Sequence, residues 1–497
     1  MKRIMSLPLS LACALSSAAL IATATRPWGL GLLAAVGYVP AFAALVRQPS
    51  CRRGALVAAV ASLGSSTVGY EAATGIAAWA YPAAVALAAV PFAIVGAVVA
   101  RLPVSLLALP VLWCAAEFVP AQTALLGAYA LPLSAVGYSQ ADLPTIHLAR
   151  LSSVSAVSLA LLAHNALVTG ALTSVADWVR TGAPRPHPAR RAVRSGMGVV
   201  VLYLIVAAAW GSAPRAPLQP GPESMNVRVV QPHLPLAHYV AAEVVPERRT
   251  AIINQLVALS TSGDLKVDMT VWPEAAWPDE IGDDSLAEVA SELASVGPVL
   301  FGAYGARAAP TNSAFWFDGS SVTRVYDKQR LVPFAESWLE PGYADPGPFR
   351  TLRGALVAPF VCYDVIFPST LRAAALAGAD LLVVLTDDSF AGSSDVPVQH
   401  LRAARFRAVE TGLPLVLASN SGPSAAFDLA ARQVAASPLG SAASWEARLA
   451  LRAASTPPTP YVRLGDTVGV FTCFVSLVAG AFACFKGGAP SSRLRPT

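Results

Sequence analysis

Charge is scarce in this chain, and lysine is scarcer still. Charged residues fill 13% of the 497 positions, well below the roughly 25% usual in soluble chains. Lys2, Lys266, Lys328 and Lys486 are the only lysines, and arginine serves for nearly every other cation. Acidic residues are almost missing from positions 1–213, which hold 13 Lys+Arg but only Glu71, Glu117, Asp142 and Asp177. Positions 214–497 hold 22 basic and 26 acidic residues. The formal net charge of +5 therefore comes from basic loops between apolar segments and gives no support to nucleic-acid binding. No dinucleotide fingerprint and no phosphate loop is present, and the histidines at 233, 238 and 400 lack metal-ligand spacing. Neither an organic cofactor nor a metal is implied.

Hydrophobic residues, in contrast, make up 55% of the chain. Apolar runs of about helix-spanning length occur at 7–25, 28–46, 54–70, 72–100, 102–118, 151–177, 195–213 and 467–485, where a bilayer core asks for roughly 17–25 residues per helix. Lys2/Arg3, Arg47–Arg53, Arg101, the loop from Arg180 to Arg194 and the tail from Lys486 fall on one side of an eight-span path that starts in the cytoplasm. That parity puts residues 214–463 outside the cytoplasm. The segment 119–150, interrupted by Pro120, Pro132 and Pro144, reads as a re-entrant or surface segment on the same side. Glu71 and Glu117 read as carboxylates capping span ends at the interface, with an intramembrane role as the alternative.

After the proline-rich stretch 214–220 the pattern changes to short strands alternating with helices. Strands are expected at 225–231, 267–272, 299–304, 312–317, 356–363, 380–386 and 415–419, with helices at 246–262, 284–296, 368–377 and 397–411. This is an α/β domain, a sandwich with helices outside its sheets. Pro359 argues that its strand starts late or runs at an edge. The expected division is a membrane domain at 1–213 with about seven helices, an extracytoplasmic catalytic domain at 222–462, and a final transmembrane helix with a cytoplasmic tail at 463–497.

Five of the six cysteines, at 13, 51, 114, 473 and 484, lie in or beside apolar runs. Cys362 alone falls in the mixed-composition region, so it has no disulfide partner there. A lone cysteine is commonly a small buried hydrophobe. A free thiol outside the cytoplasm is uncommon unless kept for reactivity, and Cys362 ends an expected strand, as a nucleophile can. Two other strand ends carry charge. Val271-Trp-Pro-Glu-Ala275 places Glu274 beyond a buried strand, where desolvation makes a carboxylate a better base. Tyr326-Asp-Lys-Gln-Arg-Leu-Val-Pro-Phe-Ala-Glu336 uses one of the four lysines, Lys328, where a compact ammonium differs chemically from guanidinium. Taken singly, Glu274 fits a helix N-terminal carboxylate and Lys328 a solvated loop lysine. Asp387-Asp388 fits a turn cap or a metal site, and Arg402, Arg405 and Arg407 fit one solvated or ion-paired helix face.

Taken together, W-P-E-A, Y-D-K-x-x-L-V-P-F-x-E and C-Y-D-x-x-F-P, in that order, resemble the Glu-Lys-Cys triad of the nitrilase (carbon-nitrogen hydrolase) superfamily. The multi-pass frame narrows the resemblance to the apolipoprotein N-acyltransferases of bacterial envelopes. Tyr138-Ser-Gln140, Gln399-His400, Arg405–Glu410 and Asn420-Ser-Gly422 also look like positions of that family. The resemblance implies a nitrilase-like α-β-β-α sandwich joined to a multi-pass α-helical membrane domain in the bacterial inner membrane. It implies transfer of an acyl chain from a phospholipid, through a Cys362 thioester, to the α-amino group of a lipoprotein's diacylglyceryl-cysteine. Glu274 would be the base, Lys328 would face the oxyanion, and Glu336, Tyr363 and Asp364 would support them; the protein would act as a monomer without cofactor. Rival readings are a membrane-tethered amidase or acyltransferase with another substrate, and an inert envelope or plasmid-transfer homologue. Asp364, Ala335, Phe390-Ala391 and Leu417 depart from the usual family pattern, which bears on substrate detail. An ammonium about 4 Å from a thiol is worth about 4 kcal/mol at an effective dielectric near 20, enough alone to make it a thiolate. A glutamate at similar distance largely cancels this, so the expected resting form is the protonated thiol.

Overall fold

In the computed structural model, residues 4–487 are described except 76, 103–104, 131, 182–223, 243, 263–265, 343–346, 390–394 and 454–455. The N-terminal part contains α1 (Leu7–Thr25), α2 (Cys51–Gly69), α3 (Ala80–Val99), α4 (Ser105–Phe118) and α5 (Ala149–Thr181). Among the described residues, four helical stretches are long and apolar enough to cross a membrane: Leu7–Thr25, Ala80–Val99, Pro144–Asp177 and Thr467–Cys484. The expected span at 28–46 is instead three short pieces, Gly31–Leu33, Ala34–Gly37 and Val39–Leu45, broken where Gly37 and Pro40 interrupt the run. In the run at 72–100 a 3-10 helix, Glu71–Gly75, precedes the α-helix that starts at Ala80, and the span expected at 195–213 lies outside the described residues. Helix α2 is less apolar because its packed face is small and polar. A Cβ on Gly64 would lie 2.3 Å from the Ala18 carbonyl oxygen, and one on Gly54 2.2 Å from that of Gly96. Glycine there lets helix backbones touch. Among the described residues of 119–143, only short helical turns occur, in keeping with Pro120 and Pro132.

The remaining domain is built from two six-stranded sheets. Its strands are β1 (Ser224–Gln231), β2 (Met269–Val271), β3 (Val299–Gly305), β4 (Thr311–Phe317), β5 (Val322–Asp327), β6 (Phe349–Arg350), β7 (Leu356–Val361), β8 (Leu381–Thr386), β9 (Leu415–Ser419), β10 (Ala425–Phe427), β11 (Gln433–Ala436) and β12 (Ala443–Ala450). One sheet runs β12-β1-β2-β3-β4-β5 and the other β11-β10-β9-β8-β7-β6. Period-two alternation sorts the side chains into layers. Leu300, Ala314 and Trp316 belong to the core between the sheets, whereas Phe301, Phe315 and Phe317 pack under α6 (Pro246–Thr261) and α7 (Leu286–Leu293). Helices α8 (Pro368–Leu376) and α9 (Val396–Thr411) accompany the second sheet, and α10 (Thr467–Gly487) follows the domain. This is the α-β-β-α order expected. Strand β6 pairs with only Leu356 and Val357 of β7. Pro359 therefore lies where that side of β7 has no ladder partner, which is how a proline is tolerated there.

Helix α9 ties the domain to the N-terminal helices. Arg402 donates to the backbone carbonyls of Thr25 and Arg26, and Arg405 pairs with Asp142 at 2.7 Å. Arg407 is fully buried, 2.9 Å from an equally buried Glu410, whose Oε1 also accepts from Ser153 Oγ at 2.8 Å. The arginine face is thus ion-paired and largely dry. Ser153 sits at a kink in α5, with φ of 60°. Arg407→Leu should strand the Glu410 carboxylate in the interior at a cost of about 3–5 kcal/mol. It should lower the thermal midpoint of the purified protein sharply, with Arg407→Leu/Glu410→Leu recovering most of the loss. Equal midpoints for the single and double variants would contradict this account.

Candidate active site

The C-terminal ends of strands from both sheets converge. Glu274 follows β2 by three residues, Lys328 directly follows β5, Cys362 directly follows β7, and Asp387 directly follows β8. The space beyond strand ends suits reactive groups because side chains there escape the ladder while the sheet still holds their backbones.

Glu274 is placed by a tight backbone approach. Gly302 donates its N–H to the Pro273 carbonyl at 3.1 Å and accepts from the Trp277 N–H at 3.1 Å. A Cβ on Gly302 would fall 2.6 Å from Glu274 Cα, so only glycine lets this turn lie on β3. Ala275 takes a positive φ of 48° to complete the turn. Lys328 is 1% exposed, its N–H bound to the Asn312 carbonyl and its carbonyl to the Gly342 N–H, both at 2.8 Å. Its Nζ lies 3.1 Å from Glu274 Oε1 and 2.7 Å from Glu336 Oε1. Asn312 Nδ2 donates to Glu274 Oε1 at 2.7 Å, and the Asp387 N–H to Glu274 Oε2 at 2.8 Å. Glu336 is fixed in turn by the Val332 N–H at 2.7 Å. Neither Glu274 nor Lys328 is the solvated surface group that either could be in isolation.

Cys362 opens a 3-10 turn, Cys362–Ile366, with φ of 47°, a left-handed conformation that costs a side-chain-bearing residue energy unless its surroundings hold it. Asp364 does the holding. It is fully buried and accepts from the Val361 N–H at 3.2 Å, the Arg330 N–H at 2.9 Å and the Tyr326 hydroxyl at 2.9 Å. One short carboxylate thus pins the elbow to the loop that carries Lys328, which gives the departure at this position a structural part. Tyr363 is buried with its ring edge-on to Phe367, centroids 5.3 Å apart. Leu417 is buried in β9, Ala335 lies on the exposed loop before Glu336, and Phe390-Ala391 fall outside the described residues.

Burial pushes the Cys362 thiol well above its ordinary range, and Glu274 pushes it further against the opposing pull of Lys328. Burial also raises the Glu274 carboxyl, which Lys328 partly offsets. Burial acts against the Lys328 charge, but Glu274, Cys362 and Glu336 together outweigh it and hold the ammonium well above its usual range. The resting site is thus a protonated thiol beside a charged ammonium, as the cancelling charges require. The structure also brings together His400 and Asp388, which the sequence offers separately. His400, on α9, lies with its Nδ1 2.8 Å from Asp388 Oδ1, and their ligand atoms and the Cys362 sulfur are mutually within 4.8 Å. Asp387 caps its own turn, accepting from the Ser389 N–H at 2.9 Å.

Comparison with known proteins accounts for both halves of the chain. A family model described as carbon-nitrogen hydrolase matches residues 227–455. One described as apolipoprotein N-acyltransferase N-terminal domain matches residues 17–167. Residues 227–455 are thus similar to carbon-nitrogen hydrolases, and residues 17–167 to the N-terminal domain of apolipoprotein N-acyltransferases. Similar proteins include the apolipoprotein N-acyltransferase of Bradyrhizobium diazoefficiens, 32% identical over 315 residues, or 56% of this chain and 58% of that one. The apolipoprotein N-acyltransferase of Rhizobium leguminosarum bv. trifolii is 31% identical over 334 residues, 59% of each. The matches thus span less than two thirds of the curated relatives' length. A structure of an amidase from Nesterenkonia sp. covers 50% of this chain and 96% of its own at 20% identity, with a TM-score of 0.37.

The resting thiol is open to a direct test. Alkylation of Cys362 by a small neutral reagent should accelerate continuously between about pH 6 and 9, because only the thiolate reacts. A rate already level at neutral pH, measured by mass spectrometry of the Cys362 peptide, would show a preformed thiolate instead. Gly302→Ala should shift the Glu274 turn at a cost of about 1–3 kcal/mol in overpacking. It should lower the thermal midpoint and change this pH profile, whereas an unaltered profile would mean the close approach does not position Glu274.

Proposed function

We propose that the protein transfers an acyl chain from a membrane phospholipid to the N-terminal α-amino group of a diacylglyceryl-cysteine lipoprotein, in two steps through a thioester on Cys362. The observation that carries this reading is the buried Lys328 held between Glu274 and Glu336 beside Cys362, in a chain whose N-terminal region matches the apolipoprotein N-acyltransferase N-terminal domain. In the first step Glu274 takes the thiol proton as Cys362 Sγ attacks the ester carbonyl carbon. Lys328 spends two of its three N–H groups on the two glutamates, and the third meets the oxyanion that forms. The tetrahedral intermediate collapses, the carbon–oxygen bond of the ester breaks, and the Glu274 proton passes to the departing lysophospholipid oxygen. In the second step the lipoprotein's amine attacks the thioester carbonyl, Glu274 accepts an amine proton, and the sulfur leaves and regains a proton as the amide forms. Glu336 holds Lys328, while Asp364 and Tyr363 hold the elbow. The apolar helices support a membrane location, and the distribution of arginines supports an inner-membrane protein with this site on the outer face.

After incubation with phospholipid, mass spectrometry of the purified protein should show one acyl adduct on Cys362, discharged as an amide when a diacylglyceryl peptide is added. Cys362→Ala should abolish adduct and product while the protein remains in the membrane fraction, and Lys328→Met should reduce the rate at least about a hundredfold. Product formation by Cys362→Ala would refute the reading. Discharge to water at the same rate with and without the peptide would point to a hydrolase.

A further inference from the structure

Cys362 Sγ, a carboxylate oxygen of Asp388 and a ring nitrogen of His400 lie within 4.8 Å of one another, and all three residues are buried. We infer that these three side chains bind a soft divalent transition-metal ion, such as zinc, which holds Cys362 unreactive while it is bound. Atoms bound tetrahedrally to zinc stand roughly 3.3–3.6 Å apart, so contacts at the 4.8 Å limit would close by roughly 1.2–1.5 Å, while His400 Nδ1 and Asp388 Oδ1, now 2.8 Å apart, would separate as the ion enters between them. Each comes from a separately anchored place: the elbow after β7, the turn after β8, and the first turns of α9. Thr386 Oγ1 lies 3.4 Å from Asp388 Oδ1 and adds an outer contact of the kind that orients metal ligands. Thiolate, imidazole and carboxylate together suit zinc or cobalt, and they do not suit magnesium or calcium, which want oxygen throughout. The surroundings favour a cation, since Glu274, Glu336 and Asp388 all act on the sulfur against Lys328 alone. On binding, the sulfur–metal bond replaces the S–H bond and the thiol proton goes to solvent. Water fills the fourth position.

Metal binding would be independent of acyl chemistry, and only the inhibition rests on Cys362 being the nucleophile proposed above. The test is titration of the full-length protein in detergent with cobalt(II), without lipid or lipoprotein. One equivalent should bind with a thiolate-to-cobalt charge-transfer band and the visible bands of a tetrahedral ion. Cys362→Ser should abolish the charge-transfer band, and His400→Gln and Asp388→Asn should each weaken binding at least about tenfold. Zinc should displace the cobalt and slow alkylation of wild-type Cys362 at least about tenfold, with a chelator restoring the rate. That last measurement needs no variant and so stands even if a substitution prevents folding. A missing band, a band that survives Cys362→Ser, or an alkylation rate indifferent to zinc would each overturn the proposal. A protein that binds cobalt in this way yet forms no acyl adduct would refute the acyl-transfer reading and leave the metal site intact.

Discussion

The arrangement depends on one buried cation. Taking the Lys328 ammonium out of water costs several kcal/mol, and the site meets that cost with two glutamates drawn from different loops. Glu274 reaches it from the end of β2, Glu336 from the loop after β5. Once those two contacts exist, the strand ends cannot drift apart without exposing an unpaired charge in the interior, so the geometry of the site and its cohesion have a single origin. Arginine would not serve here. A guanidinium would lie flat against one carboxylate, whereas three N–H groups fanning from one nitrogen reach several partners at once. This is why a chain so poor in lysine keeps one at 328.

The charged groups are held by backbone features more than by one another. Gly302 lets the Glu274 turn press onto β3. Asp364 gathers two N–H groups and a tyrosine hydroxyl to keep Cys362 left-handed. Each device replaces solvent with fixed dipoles before any substrate arrives, which is the form of organisation that stabilises developing charge without rearrangement. Burial and the neighbouring carboxylates favour the protonated thiol in this setting. A cysteine in this state resists oxidation, which attacks thiolates.

Much of the arrangement was legible in the sequence because Glu274, Lys328 and Cys362 sit in short motifs at strand ends. The strands that precede Glu274 and Cys362, β2 and β7, are buried. His400 and Asp388 were not legible as a pair near Cys362. They lie 12 residues apart across a turn and the start of a helix, and only the packing of α9 against the elbow brings them to the sulfur. The strands β5, β6 and β10–β12 were missed for a related reason. β6 and β10 are two and three residues long, while β5, β11 and β12 are largely exposed or half-buried, so they lack the buried apolar runs that mark a strand. Among the helices, the run at 28–46 has the hydropathy of a span, but hydropathy does not register that glycine and proline divide it into turns. Glu117 lies in the last turn of α4. It is 4% exposed and faces a cavity of about 220 Å³ shared with the α5 kink and the start of α10.

Helix α9 joins these threads. One part of it brings His400 to Cys362, and another presents Arg402, Arg405 and Glu410 to Thr25, Asp142 and Ser153. A rigid helix cannot move its first turns far without disturbing its later ones, and the later ones are tied to the kink in α5 by the Ser153 hydroxyl, which donates to Glu410. The side chains around Cys362 are therefore positioned partly by the apolar helices and not by the sandwich alone. A sandwich cut away from residues 4–181 would keep Glu274, Lys328 and the elbow, which depend on strand-end contacts, but would lose the anchors that orient α9. On this physical ground the two parts of the chain act as one unit, with the sandwich supplying the reactive groups and the apolar helices fixing one wall of the space in which they work.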